Sequence, residues 1–192
     1  MRQPDGPFRR TWEVAGTAHV DTYLLVEGPA DEGPAALDTT HLPPVTSVFG
    51  GAVTCDLPIN AGPQHYVLSA AIRKLARWVA GGHAPRSAPL LVAQPGSPPT
   101  LERDAVGNAL GGIRTPAVDA PIAVVTGTGQ PVGSPCSRLG TTLGFDDAML
   151  DALYPDPRAY ARAVRRSARR GGRDGYLLPL DARAIRARVE WE

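Results

Sequence analysis

The residue best placed to do chemistry in this sequence is His19. It follows a glycine turn that ends a short apolar run, in the order Val14-Ala15-Gly16-Thr17-Ala18-His19-Val20-Asp21. Residues 11–16 (TWEVAG) read as a buried strand, which puts the histidine just past its carboxyl end, where open α/β sheets hold their ligands. A neutral imidazole there can take a proton from a hydroxyl nucleophile and return it to a leaving group. Spacing alone does not decide the matter, because a lone histidine after a strand is more often a turn or surface residue. Asp21 also has two readings: it steers the imidazole, or it is a turn carboxylate, and the second is the plainer. His41, His65 and His83 form no HxH or HxxxH pair that would set two ligands on one element, so solvated or capping roles suit them. Neither a metal nor another cofactor is expected.

Cys55 and Cys136 each stand in a Gly/Pro-rich loop, and no CxxC spacing points to zinc or redox work. A staple between the two loops and a pair of unbonded small hydrophobes are both open readings. Residues 158–173 (RAYARAVRRSARRGGR) hold seven arginines. No aromatic is interleaved for base stacking, and Tyr160, Ala163, Val164 and Ser167 make an inner stripe, so this is read as a solvated helix face and no nucleic acid is expected.

The elements that must position these residues come from pattern. The best helix spans 63–80, with Val67, Leu68, Ala71, Ile72, Leu75, Trp78 and Val79 at spacings of three and four. Pro63 suits its first position and Gly81–Gly82 its end. So narrow an apolar stripe calls for a sheet or another helix to cover it. Residues 121–126 (PIAVVT) are the second convincing strand. Later helices are expected at 145–154, at 157–170 capped by Asp156, and at 182–189 capped by Asp181. Residues 27–50 turn to Gly, Pro and Asp without periodicity and read as a surface loop or insertion.

Composition narrows the classes. Hydrophobic residues are 43% and charged residues 20%, which is globular, and Lys+Arg at 20 against Asp+Glu at 19 leaves a net charge of +1. That balance gives no general argument for nucleic acid or an anionic membrane. Lys74 is the only lysine, and with 21 Gly and 20 Pro this resembles the coding bias of a GC-rich genome. No apolar run is long enough to span a membrane, and the first residues lack the apolar stretch of a signal peptide. A soluble chain with no membrane partner is expected, its compartment unassigned.

The stretches RTWEVAGTAHVDTY and CDLPINAGPQHYVLSAAIRKLARWVAGGHAPRSAP together resemble the end of a bacterial α/β-hydrolase domain esterase, and more distantly the tannase and feruloyl esterase group. In those families a strand leads to a glycine turn and the catalytic histidine, and a long helix then ends in Trp-Val-x-x-Gly-x-x-Pro. Here that pattern is Trp78-Val79-Ala80-Gly81-Gly82-His83-Ala84-Pro85. The segments ERDAVGNALGGIRTPAVDAPIAVVTG, CSRLGTTLGFDDAMLDALYP and GYLLPLDARAIRARV also read like the family's tail, so the resemblance covers nearly the whole chain.

The resemblance implies an α/β fold, and specifically the C-terminal portion of an α/β-hydrolase sheet with covering helices. It makes 1–192 a partial domain whose C-terminal helices occupy 145–192. It also implies that His19 is the catalytic base of a serine esterase. None of the seven serines has the G-x-S-x-G setting of a nucleophile elbow, and none precedes His19 as the fold's chain order requires. Before the histidine stand only Asp5 and Glu13, neither suitably placed as the acid. The expected activity is carboxylic ester hydrolysis with nucleophile and acid missing from this chain, and a small-molecule ester as partner once the missing half is supplied. The alternative is a non-catalytic fragment, or a complementing or binding half.

Overall fold

The computed structural model describes residues 2–28, 45–187 and 189. The expected loop at 27–50 therefore falls largely outside the described residues. In chain order the elements are β1 (Ser47–Val48), β2 (Val53–Thr54), α1 (Gln64–Val79), β3 (Ala93–Gln94), β4 (Thr100–Leu101), α2 (Pro116–Asp119), β5 (Ala123–Thr126), β6 (Thr141–Gly144), α3 (Asp147–Leu153), α4 (Pro157–Asp174) and α5 (Pro179–Ala187). The described strands pair as three separate antiparallel ribbons, β1–β2, β3–β4 and β5–β6.

The expected strand at 11–16 is reduced to one parallel bridge, Val14 to Ile113. Ala15 N–H donates to the Ile113 carbonyl and Ile113 N–H to that of Glu13, both within 3.0 Å, and there the ladder stops. Side chains take over on either side. Thr11 N–H donates to Asp5 Oδ1 at 2.9 Å, and the Trp12 indole reaches the Arg86 carbonyl at 3.0 Å. Glu13 is held by Arg2 and accepts from Leu91 N–H. The apolar run after His19 coils into one wide turn, Tyr23–Glu27, instead of extending.

Residues 121–126 do hold a strand, β5, but its neighbours differ from those of a parallel sheet. β6 pairs with one edge. Along the other lies the side chain of Asn108, wholly buried, whose Nδ2 donates to the Ala123 carbonyl while its Oδ1 accepts from Val125 N–H, both at 3.0 Å. The amide of one side chain thus does the pairing that a peptide unit of a neighbouring strand would do.

Helix ends follow local chemistry. Asp146 and Asp156 accept from the N–H groups of Met149 and Ala159 at 2.8 and 2.7 Å, which caps α3 and α4. α4 runs four residues beyond the expected end and stops at Gly175, whose φ of +79° suits the left-handed position after a helix. α5 starts at Pro179, so Asp181 lies in its first turn and is not its cap. The buried face of α4 is Tyr160, Ala161, Val164, Ser167, Ala168 and Gly171, rotated slightly from the expected stripe, and α5 packs on it. α2 anchors it: Asp119 binds Arg114 at 2.9 Å and also takes the Ser167 hydroxyl at 2.6 Å and the Arg170 guanidinium.

Three apolar clusters result. The largest joins Val67 of α1 to Ile113, α4 and α5; a second gathers Ala15, Ala109, Val118, Ala123 and Val125; a third surrounds Ile59, Cys55 and Cys136. α1 contributes only Val67 and Ala70 to buried positions. Leu68, Ile72, Leu75 and Val79 of its stripe are 51%, 58%, 54% and 80% exposed, so the cover that the stripe calls for is absent among the described residues.

Cys55 and Cys136 form a disulfide, which selects one of the two readings left open by the sequence. It closes 81 residues of separation. In the chain-entropy account a loop of that size contributes about 4.5 kcal/mol by restricting the unfolded chain. Urea melts with and without a phosphine reductant should differ by roughly that amount, about 3–5 kcal/mol. A difference under about 1 kcal/mol would mean that the unfolded chain is already compact there.

Candidate functional site

The turn that carries His19 is built from close backbone approaches. Gly16 adopts φ +80°, and a Cβ there would lie 2.7 Å from a Val125 methyl and 2.8 Å from one of Val118, so only glycine lets the chain enter the turn against β5. Thr17 closes it by donating its hydroxyl to the Val14 carbonyl at 3.0 Å. Ala18 is buried against Gly140, just before β6.

Asn60 locks this turn to the rest of the molecule. It is wholly buried, and its Nδ2 donates to the carbonyls of Gly16 at 3.1 Å and Thr126 at 3.0 Å. Its Oδ1 accepts from Gly62 N–H at 2.7 Å, and its own backbone pairs with Thr22 and Leu139. One side chain therefore joins the residue that opens the His19 turn, the end of β5 and the entry to α1. Gly62 fits so closely that a Cβ on it would sit 2.1 Å from the Gly16 oxygen. At the start of α1, Gln64 Nε2 donates to the His19 carbonyl at 3.4 Å, a long contact that brings the helix end to the turn.

The imidazole of His19 is exposed at the tip of this turn, and no side chain among the described residues hydrogen-bonds it. Its backbone is fixed while the side chain is exposed. Such a group can exchange a proton with a hydroxyl presented to it, without first rearranging the chain.

Asp21 turns inward and away from that role. It is 2% exposed, and its Oδ1 accepts from Leu24 N–H at 3.0 Å, which makes it the cap of the Tyr23–Glu27 turn. Its Oδ2 is buried with no hydrogen-bond partner. Desolvation pushes its pKa above the usual 3.8, against the lowering effect of the Leu24 N–H. The folded carboxyl keeps its proton to higher pH than the unfolded one, so between 3.8 and the raised value the folded chain binds more protons. Stability falls as pH rises through that window, and the whole loss is present above it. Asp21→Asn keeps the acceptor for Leu24 and removes the charge. It should raise Tm at about pH 7 and flatten the decline seen in melts from about pH 3 upward. An equal Tm at both ends of that series for the two proteins would contradict the account.

Two of the other three histidines are described. His65 stacks between Tyr23 and Tyr66, with ring centroids at 3.8 and 3.9 Å, at the first turn of α1. His83 is exposed beyond the end of α1, and His41 lies outside the described residues.

The sequence model of the family described as Alpha/beta hydrolase domain matches residues 1–187. The chain belongs to that family. No curated protein and no solved structure matches it. Within this α/β-hydrolase domain protein, the sequence singled out His19 but not Asn60, Gln64 or the Gly16–Gly62 contact that hold its turn. An asparagine before Ala-Gly-Pro reads only as a turn residue. Nothing in the local pattern shows that its partners lie 44 and 66 residues away.

Proposed function

We infer that the chain is the C-terminal part of a serine ester hydrolase, an incomplete domain in which His19 is the triad base. In this reading the nucleophile and the acid come from residues outside the 192. The observation that carries it is an exposed imidazole, unpartnered among the described residues, on a turn held rigid by Gly16, Thr17 and Asn60 in a member of a hydrolase family. The uncovered stripe of α1 supports the incomplete domain, because four exposed aliphatic side chains on one helix face need cover. In the reaction, His19 would take the proton of the serine hydroxyl as it attacks the ester carbonyl. It would give that proton to the departing alcohol, then repeat the cycle with water. The stripe equally favours the second reading, a non-catalytic half that only binds or complements another chain.

An assay with a short-chain nitrophenyl ester separates the two. The 192 residues alone should show no turnover, and joining them to a family segment that carries a G-x-S-x-G elbow should produce turnover blocked by a serine-directed phosphonate. A joined protein that folds but hydrolyses nothing would favour the non-catalytic reading. Phosphonate-sensitive turnover by the 192 residues alone would overturn the division of the triad.

A further inference from the structure

A cavity of about 370 Å³ lies between the C-terminal half of α1 and the junction of α4 with α5. Its lining holds three cations, Arg73, Lys74 and Arg77, and no carboxylate. The opposite wall is apolar, formed by residues 177–180, the last two of which open α5. None of the three cations makes a hydrogen bond or ion pair with the described residues; Arg73 and Arg77 are exposed and Lys74 is half-buried. The acid next to the cavity, Asp174, is engaged by Arg86.

Lys74 is built into the wall. A Cβ on Gly175 would lie 2.6 Å from its Nζ and 2.7 Å from its Cε, so the ammonium end rests on a backbone position that only a glycine leaves open. This is the one lysine among 20 basic residues. A guanidinium is wider and planar, so a compact ammonium suits a cationic end that lies this close to backbone. Cations near the end of α1 do complement its dipole. That benefit needs no cavity, and like charges at i and i+4, as at Arg73 and Arg77, oppose the helix.

We propose that this cavity is a binding site for a phosphate group that carries an apolar substituent. Three cations around one space suit a doubly charged tetrahedral anion. The two guanidinium groups offer paired N–H donors, and Lys74 supplies a compact charge. The volume is more than a bare anion fills, and residues 177–180 give the remaining space an apolar face. A phosphate monoester and a phospholipid headgroup share this chemistry. The site stands apart from His19 and does not depend on its assignment.

The test is titration of the full chain at low ionic strength, with Tm and calorimetric heat as readouts. The probes are inorganic phosphate, a short-chain alkyl phosphate, and phosphatidylcholine vesicles with and without phosphatidic acid. Saturable phosphate binding is expected, at least about tenfold tighter for the alkyl phosphate. Lys74→Gln and Arg77→Gln should each weaken both by about tenfold or more, and Lys74→Arg should fail to restore the affinity despite keeping the charge. In phosphate-free buffer Lys74→Gln should leave Tm equal or higher, since it relieves repulsion among three like charges, so its loss of binding is not a loss of fold. Co-sedimentation only with vesicles that contain phosphatidic acid assigns the headgroup as source; binding of the soluble alkyl phosphate without vesicle binding assigns a free monoester. Absence of saturable binding would overturn the proposal, as would equal weakening by Arg158→Gln on the far end of α4.

Discussion

Replacing His19 with alanine is expected to lower kcat for a nitrophenyl ester by on the order of 10⁵- to 10⁶-fold once the nucleophile-bearing segment is present. Removing the base of a serine triad costs nearly as much as removing the whole triad, because the hydroxyl is a poor nucleophile until its proton has somewhere to go. KM should change little, since the base of a triad acts on the transition state and not on ground-state binding. The effect should be confined to the side chain. His19 holds its neighbours through its backbone carbonyl, which alanine retains, so Tm should move little. Asp21→Asn is the matching control: its carboxylate caps the Tyr23–Glu27 turn, so kcat should persist in that variant. A near-normal kcat for His19→Ala, measured in single-turnover mode to exclude slow product release, would remove the histidine from the mechanism.

The second large effect is on stability. Asn60→Ala is expected to cost about 3–5 kcal/mol, a large share of the roughly 5–15 kcal/mol that holds a domain. The substitution strips the Gly62 N–H of its acceptor and two carbonyls of a donor, the Gly16 and Gly62 groups buried and the Thr126 carbonyl partly so. Each unmet buried group costs about 1–3 kcal/mol, and the cavity adds to that. Asn60→Asp should be no milder, because a carboxylate keeps the acceptor for Gly62 but sets negative charge against the Gly16 and Thr126 oxygens. Guanidinium melts of both variants measure this. A loss below about 1 kcal/mol for the alanine variant would show that water replaces the amide. Because Gly16 opens the His19 turn, the same variant should also lose hydrolytic rate beyond its folded fraction.

What was legible in the sequence is what local rules govern. α1 and α4 follow from apolar residues at spacings of three and four, and the cap at Asp156 follows from an aspartate just ahead of such a run. Those contacts lie within a few residues of each other. The errors have the opposite character. TWEVAG has the composition of a buried strand, yet its backbone is met by a single bridge to Ile113, about a hundred residues on, and by the nearby Asp5 carboxylate at Thr11. Its Glu13 side chain is likewise tied to Arg2 and Leu91. β6 (TTLG) lacks any alternation of apolar and polar residues and is a strand only because β5 lies beside it. The position of His19 was readable because a glycine turn after an apolar run is a local signal. The means of holding it there was not, because Asn60 acts across long separations. The disulfide was undecidable for the same reason: composition puts cysteines in loops but does not bring the loops together.

Asn108 has a further consequence for how the molecule behaves in a crowd. A strand with a bare edge offers a row of donors and acceptors to any other extended chain, and such edges seed aggregation. Along β5 that row is already engaged at Ala123 and Val125 by a side chain that cannot be extended into another strand. The ribbon β5–β6 is thereby finished at two strands on that side, and a chain arriving from outside would first have to displace a buried amide. Asparagine here works as a terminator of sheet growth, a selvedge woven from a single residue that keeps a short apolar strand from recruiting copies of itself.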